Sequence, residues 1–291
     1  MISIKRTVNR SIDLFHKLAS VGVFVAVSFF SASIFAATES AIVWQGSWQQ
    51  GGLLLGQIKP DYHISVAGEP IKTTADGRFL FGLGRNAQGS STFLVSGPNG
   101  TVVEEHYPVV TRDFKIQRIE GVPQSTVTPP AEQLQRIKSD SALVREARRE
   151  VTDKTDFIEG FVKPLQGPKT GVYGSQRFYN GVPKSPHYGV DYAAPTGTEV
   201  KAPAAGIVRL AHRDLFYSGG TLIIDHGHGL SSSFLHLSDI LVTEGSRVER
   251  GDAIAKVGAT GRATGPHLDW RMNWRNVRVD PELVLQAFPA Q

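Results

Sequence analysis

Glycine and proline interrupt this 291-residue chain so often, with thirty of one and sixteen of the other, that few stretches are long enough for a regular helix. Short apolar runs between turn residues are the signature of strands, so the chain is expected to be mainly β. In residues 38–122, Asp76-Gly77 separates Ile71–Thr74 from Arg78–Phe81, and Asn99-Gly100 separates Thr92–Val95 from Thr101–Val103. Both dipeptides accept the positive φ of a tight hairpin turn. This region is predicted to be a small β-sandwich-like domain without catalytic residues.

The segment Pro123–Pro130 is expected to be a linker. Leu134, Ile137, Val144, Ala147 and Val151 then recur at helical spacing, which predicts a helix within residues 123–156. From 157 to 291 the pattern returns to β, with short runs such as Thr198–Pro203, Thr221–Ile224 and Ala253–Val257 and no long helix.

The first 37 residues read as a secretory signal. Lys5, Arg6, Arg10 and Lys17 precede the apolar run Val21–Val27, and small residues lead to cleavage near Ala36 or Ala37. An uncleaved membrane anchor is the alternative. Residues 1–36 carry +3 of the formal net charge of +4, leaving about +1 for the remainder. No broad basic surface of the kind nucleic acid requires is left. The absence of cysteine excludes disulfides and thiolate metal sites.

Six of the nine histidines fall between 187 and 267. His187 and Asp191 sit where Pro186 and Gly189 favour a turn entering a strand. His267 and Asp269 would share one face of a strand, where two polar groups are costly unless paired or coordinated. His236 is a polar residue inside the apolar run Phe234–Leu237. His226 and His228 form a tempting H-x-H, but their glycine flanks favour a turn with a structural or groove-rim role.

Taken together, Gly174–Arg177, His187–Asp191, Ala194–Thr198, Ala202–Gly206, Leu235–Leu237 and Thr260–Leu268 resemble the M23 (LytM or lysostaphin-like) metallopeptidases in order and spacing. The resemblance covers about residues 157–285. It implies an antiparallel β-sheet catalytic domain with a groove, one zinc ion per chain, and hydrolysis of peptide crosslinks in bacterial peptidoglycan. His187 and Asp191 match two metal ligands, and His236 and His267 match the two catalytic histidines. Arg177 matches an arginine kept for structure or substrate, and Tyr188 adjoins a ligand where it would line the groove.

The third ligand in the family is usually a histidine, and here the position is Asp269. A carboxylate is itself a good zinc ligand. It would lower the formal charge of the site from +1 to 0 and acidify a coordinated water less. The alternative is a degenerate domain that binds the wall or activates a partner amidase. A lipoyl-like carrier, suggested by Gly197–Pro203 and Gly251–Ile254, leaves the histidines unexplained. The expected partners are peptidoglycan stem peptides and cell-wall regulators, with no nucleic acid and no membrane contact beyond an uncleaved leader. The expected location is the periplasm; the alternatives are a membrane-anchored form facing it or a secreted one.

Overall fold

Alternating apolar residues build two small antiparallel sheets at the start of the described chain, which in this computed structural model comprises residues 40–121 and 131–290. The leader expected over residues 1–37 and the linker at 123–130 lie outside the described residues. The first strands are β1 (Val43–Gln45), β2 (Leu53–Gln57), β3 (His63–Val66), β4 (Glu69–Pro70), β5 (Arg78–Gly82), β6 (Ser90–Ser96) and β7 (Val102–Pro108). One sheet runs β1-β2-β5 and the other β4-β3-β6-β7. They meet across an aromatic cluster in which Phe93 lies 5.2 Å from Trp44 and 4.9 Å from Phe81, ring centre to ring centre. Edge-on geometry at these separations is the favoured one for aromatic pairs.

The hairpin expected across Asn99-Gly100 forms between β6 and β7, and Gly100 adopts φ +81°. At Asp76-Gly77 only the turn forms, closed by Gly77 N–H donating to Thr74 O at 2.9 Å. Residues 71–74 make no strand. The sequence after the turn pairs instead with β2, from Leu53 opposite Gly82 to Gln57 opposite Arg78. This partner lets Phe79 and Leu80 join Leu53 and Leu54 in the core, all at most 1% exposed.

After β8 (Ile116–Ile119), a 3-10 turn at Ala131–Gln133 leads into α1 (Leu134–Glu146). The helix ends before Ala147 and Val151, and its apolar stripe is mostly uncovered. Leu134 and Leu143 are both 44% exposed, while Val144 and the adjoining Ala147 pack on Leu210, Leu215 and Ile223. Polar contacts fix the helix in place: Phe216 N–H donates to Asp140 Oδ2 at 2.7 Å, and Arg136 pairs with Asp214 at 2.8 Å.

The remaining strands are β9 (Lys169–Gly171), β10 (Gln176–Tyr179), β11 (Val182–Pro183), β12 (Gly189–Ala193), β13 (Glu199–Lys201), β14 (Gly206–Leu215), β15 (Gly219–Gly227), β16 (Leu230–Leu237), β17 (Asp239–Ile240), β18 (Arg247–Val248), β19 (Ala253–Lys256), β20 (His267–Trp274) and β21 (Val277–Val279). The large antiparallel sheet runs β18-β14-β15-β16-β20-β12-β9, with β21 beside β20. Its central strands β15 and β16 are buried along their whole length. A second small sheet joins β8 to β10 in parallel and β10 to β11. A short helix, α2 (Pro281–Ala287), closes the chain. Its Asp280 cap accepts from Glu282 N–H at 3.0 Å and Pro281 occupies the first turn, a standard helix start.

The early sheets and the large sheet share one core. Phe81 packs edge-on against Trp274 with ring centres 5.6 Å apart. Gly82 makes the approach feasible, since a Cβ there would lie 3.1 Å from the Trp274 ring. The Arg112 guanidinium bridges the same seam, donating to Gln50 O and Asp280 Oδ2 at 2.9 Å each. Among the described residues, no helix is long and apolar enough to cross a membrane. Trp274→Ala is expected to cost about 3–5 kcal/mol in urea unfolding, with residues 40–290 still melting in one transition.

Candidate metal centre and groove

The site begins with a strand register. β12 and β20 pair so that Asp191 lies opposite Asp269, Gly189 opposite Arg271 and Ala193 opposite His267. Directly opposed residues share a face of the sheet, so two carboxylates meet side by side. His187, two residues before β12, turns back toward them. Its Nε2 is 3.0 Å from Asp191 Oδ1 and 3.5 Å from Asp269 Oδ2. One donor atom from each of the three residues lies within 4.8 Å of the other two.

Two glycines leave the space these side chains occupy. A Cβ on Gly171 would stand 2.1 Å from Asp191 Oδ2, and one on Gly189 would stand 2.5 Å from Asp269 Oδ1. The His187 ring is oriented from behind by Nδ1, which is 3.2 Å from Val172 O. A carbonyl only accepts, so Nδ1 carries the proton and Nε2 faces the carboxylates. Nε2 and Asp191 Oδ1 are buried and, apart from their 3.0 Å approach to each other, neither makes a hydrogen bond. Orphaned buried polar atoms are rare. Here they converge, and a nitrogen and two carboxylates suit a dication such as zinc.

Burial lowers the pKa of His187, but Asp191 and Asp269 outweigh it and push the value up to about 10. Burial works against ionisation of Asp269 too, yet Arg271 and His187 hold its carboxyl well below the usual carboxylate range. Arg271 donates to Asp269 through Nε, at 3.0 and 3.1 Å to the two oxygens, and through Nη2 at 2.5 Å to Oδ2.

His236 and His267 stand together, with ring centres 4.8 Å apart and tilted by 48°. His236 Nδ1 is 2.8 Å from Thr260 O, and His267 Nδ1 is 2.8 Å from Gly265 O. The same carbonyl argument leaves both Nε2 atoms as acceptors. His236 takes the uncommon φ of +64°, held by its N–H donating to Ser218 O at 2.8 Å. Burial lowers its pKa, which keeps the ring neutral and able to accept a proton at neutral pH.

These histidines and the three metal-capable residues line one open groove of about 1690 Å³. Arg177 and Tyr188 line it as well. Arg177 Nε donates to Gln117 Oε1 at 3.0 Å, and Tyr188 lies under the Arg278 guanidinium, 5.2 Å from its ring centre. Sequence reasoning missed two features. Asp140, Arg145 and Arg148 of α1 and the turn after it form part of the groove wall. Arg271 sits beside Asp269, and the only available signal was its i+2 spacing on the same strand.

His226 and His228 lie away from the groove lining. His226 is fully buried, with Nδ1 2.7 Å from Ala205 O and Nε2 2.8 Å from Ser232 Oγ, and Phe161 meets it edge-on. His228 packs on Phe157. His212 Nδ1 accepts from Asp214 N–H at 3.1 Å.

A crystal structure of a Pseudomonas aeruginosa protein assigned to peptidase family M23 superposes with a TM-score of 0.65 and is 30% identical, covering 84% of this chain and 97% of that one. The chain belongs to peptidase family M23. The sequence profile of that M23 family matches residues 185–281, the stretch from before His187 to the end of β21 and into α2. Peptidoglycan DD-endopeptidase ShyA of Vibrio cholerae is 43% identical over 88 residues, which is 30% of this chain and 20% of the relative. DD-carboxypeptidase/endopeptidase Mpg of Neisseria meningitidis is 40% identical over 103 residues, 35% of this chain and 24% of the relative. This M23 chain therefore spans about a fifth to a quarter of the length of these relatives.

The buried His226 sets a pH dependence for this M23 fold. Burial lowers its pKa below the ordinary histidine value of 6.5, so in the pH range just below 6.5 the unfolded chain binds the extra proton. The contribution of His226 is thus complete above about 6.5 and falls below it, at up to about 1.4 kcal/mol per pH unit. Thermal melts from about pH 6.5 to 5 should show this decline. His226→Gln should make it shallower, with the slope due to buried His228 and His236 remaining, while lowering the melting temperature at about pH 8.

Proposed function

We propose that this chain is an exported zinc metalloendopeptidase that hydrolyses peptide crosslinks of bacterial peptidoglycan. One zinc per chain would be held by His187, Asp191 and Asp269. The observation that carries this reading is the convergence of His187 Nε2 and Asp191 Oδ1, buried and without hydrogen-bond partners, on Asp269. A bound zinc supplies Lewis acidity, polarising a carbonyl and acidifying water.

The chain's own residues supply the rest. The groove positions an extended peptide along the sheet, with Arg177 and Tyr188 as substrate contacts. One of His236 and His267 accepts a water proton at Nε2 and, once protonated, passes it to the leaving amine. The other, when protonated, donates to the oxygen that gains negative charge. The relatives named as DD-endopeptidases favour D,D crosslinks as the bond cut, and action on the wall agrees with a cleaved leader and a periplasmic location.

A second reading has one observation behind it. Arg271 already grips the Asp269 carboxylate, as it would in a groove that binds the wall or an amidase without hydrolysis. Metal analysis of the purified protein, paired with mass spectrometry of muropeptides released from crosslinked sacculi, separates the two. The peptidase reading expects about one zinc per chain and loss of crosslinked products. His267→Ala should abolish turnover, a drop of at least about a hundredfold, while zinc stays bound. Hydrolysis by the metal-free protein, or a wild-type protein without zinc or turnover, would refute it.

A further inference from the structure

Asp269 and Arg271 share one face of β20; Asp269 is 2% exposed and Arg271 is half-buried. The guanidinium reaches both carboxylate oxygens through three contacts of 2.5–3.1 Å. The pair lies over Gly189, where a Cβ would stand 2.5 Å from Asp269 Oδ1 and 2.6 Å from Arg271 Cγ. A side chain at 189 would therefore displace both partners together. Among the described residues, Asp269 is the one carboxylate that Arg271 contacts as an ion pair. Two more arginines, Arg148 and Arg278, are near enough to feel its charge.

Charge accounting gives the pair a role. A neutral His187 with two carboxylates contributes minus two, which would cancel a dication. Catalytic zinc sites commonly use three histidines, or two histidines and one carboxylate, and so retain positive charge. Arg271 restores the missing unit. We infer that Asp269 and Arg271 act as one net-neutral ligand unit, Arg271 being the positioning residue that fixes the carboxylate and returns the site to a net charge of plus one. The arginine's cost at a metal site is offset because its charge is directed at the ligand that created the deficit.

This inference rests on the zinc reading above and makes an unusual prediction. Asp269→His supplies a neutral ligand but strands Arg271 without its carboxylate beside the dication, so zinc binding should weaken at least about tenfold. Arg271→Gln removes a cation beside the dication and leaves both carboxylates to the metal, so zinc binding should tighten about tenfold. The double variant Asp269→His with Arg271→Gln removes the stranded cation and should bind within about threefold of wild type.

The experiment is chelator competition for zinc on the full chain, with circular dichroism and the metal-free melting temperature as checks of folding. Stoichiometric zinc in wild type is established first; its absence would fail the peptidase reading and this inference together. With zinc present, a double variant that binds as weakly as Asp269→His, or undiminished binding by Asp269→His, overturns the inference alone. Should Asp269→His not fold, Arg271→Lys against Arg271→Gln decides. Retention within about threefold by lysine and about a tenfold gain by glutamine support charge compensation, and equal effects of the two overturn it.

Discussion

Two carboxylates facing each other across adjacent strands is an arrangement a protein interior tolerates only with compensation. The opposition of Asp191 and Asp269 on β12 and β20 is fixed by the sheet register, and a one-residue slip would turn both to the other face. Much of the site's local design answers that constraint. His187 enters from the preceding turn to face both, Arg271 grips one, and Gly171 and Gly189 leave room for the oxygens. The unpartnered atoms that remain point at each other, where a dication would satisfy them together.

The register is rigid because the strands that carry it are packed on both sides. β16 beside β20 is wholly buried, and Trp270 and Leu268 alternate with the site residues into the core. Trp274, at the far end of β20, meets Phe81 of the early sheets. The same strand thus presents the site at one end and anchors the N-terminal unit at the other. α1 has little core of its own, but its ion pair to Asp214 and the cap of Phe216 N–H by Asp140 hold it against β14 and over the groove edge. That wall and the β8–β10 pairing shape the space between them.

Much of this was legible in the sequence for physical reasons. Dense glycine and proline set strand lengths, and the motifs around His187, His236 and His267, taken together through their resemblance to the M23 enzymes, pointed to the groove that these residues line. The Asn99-Gly100 hairpin was readable because its pairing is local. The Asp76-Gly77 hairpin was not, because Phe79 and Leu80 pair instead with Gly56 and Leu55 of β2, far earlier in the chain, and so reach the core. Helical spacing identified α1 but overstated its burial, as Leu134 stays exposed. Asp280-Pro281-Glu282 carried a helix-start signal for α2 that the surrounding β pattern concealed. Arg271 was invisible as a site residue because an arginine on a strand normally points to solvent. Only the fold shows that it is paired with Asp269.

The most direct test of the central claim is diffraction at the zinc absorption edge from zinc-loaded crystals of the full chain. The account predicts one strong anomalous peak per chain, about 2.0–2.2 Å from His187 Nε2 and from an oxygen of each of Asp191 and Asp269, with Arg271 still bound to Asp269. A peak at His226 and His228, a peak that Asp269 does not touch, or no peak in the groove would contradict it.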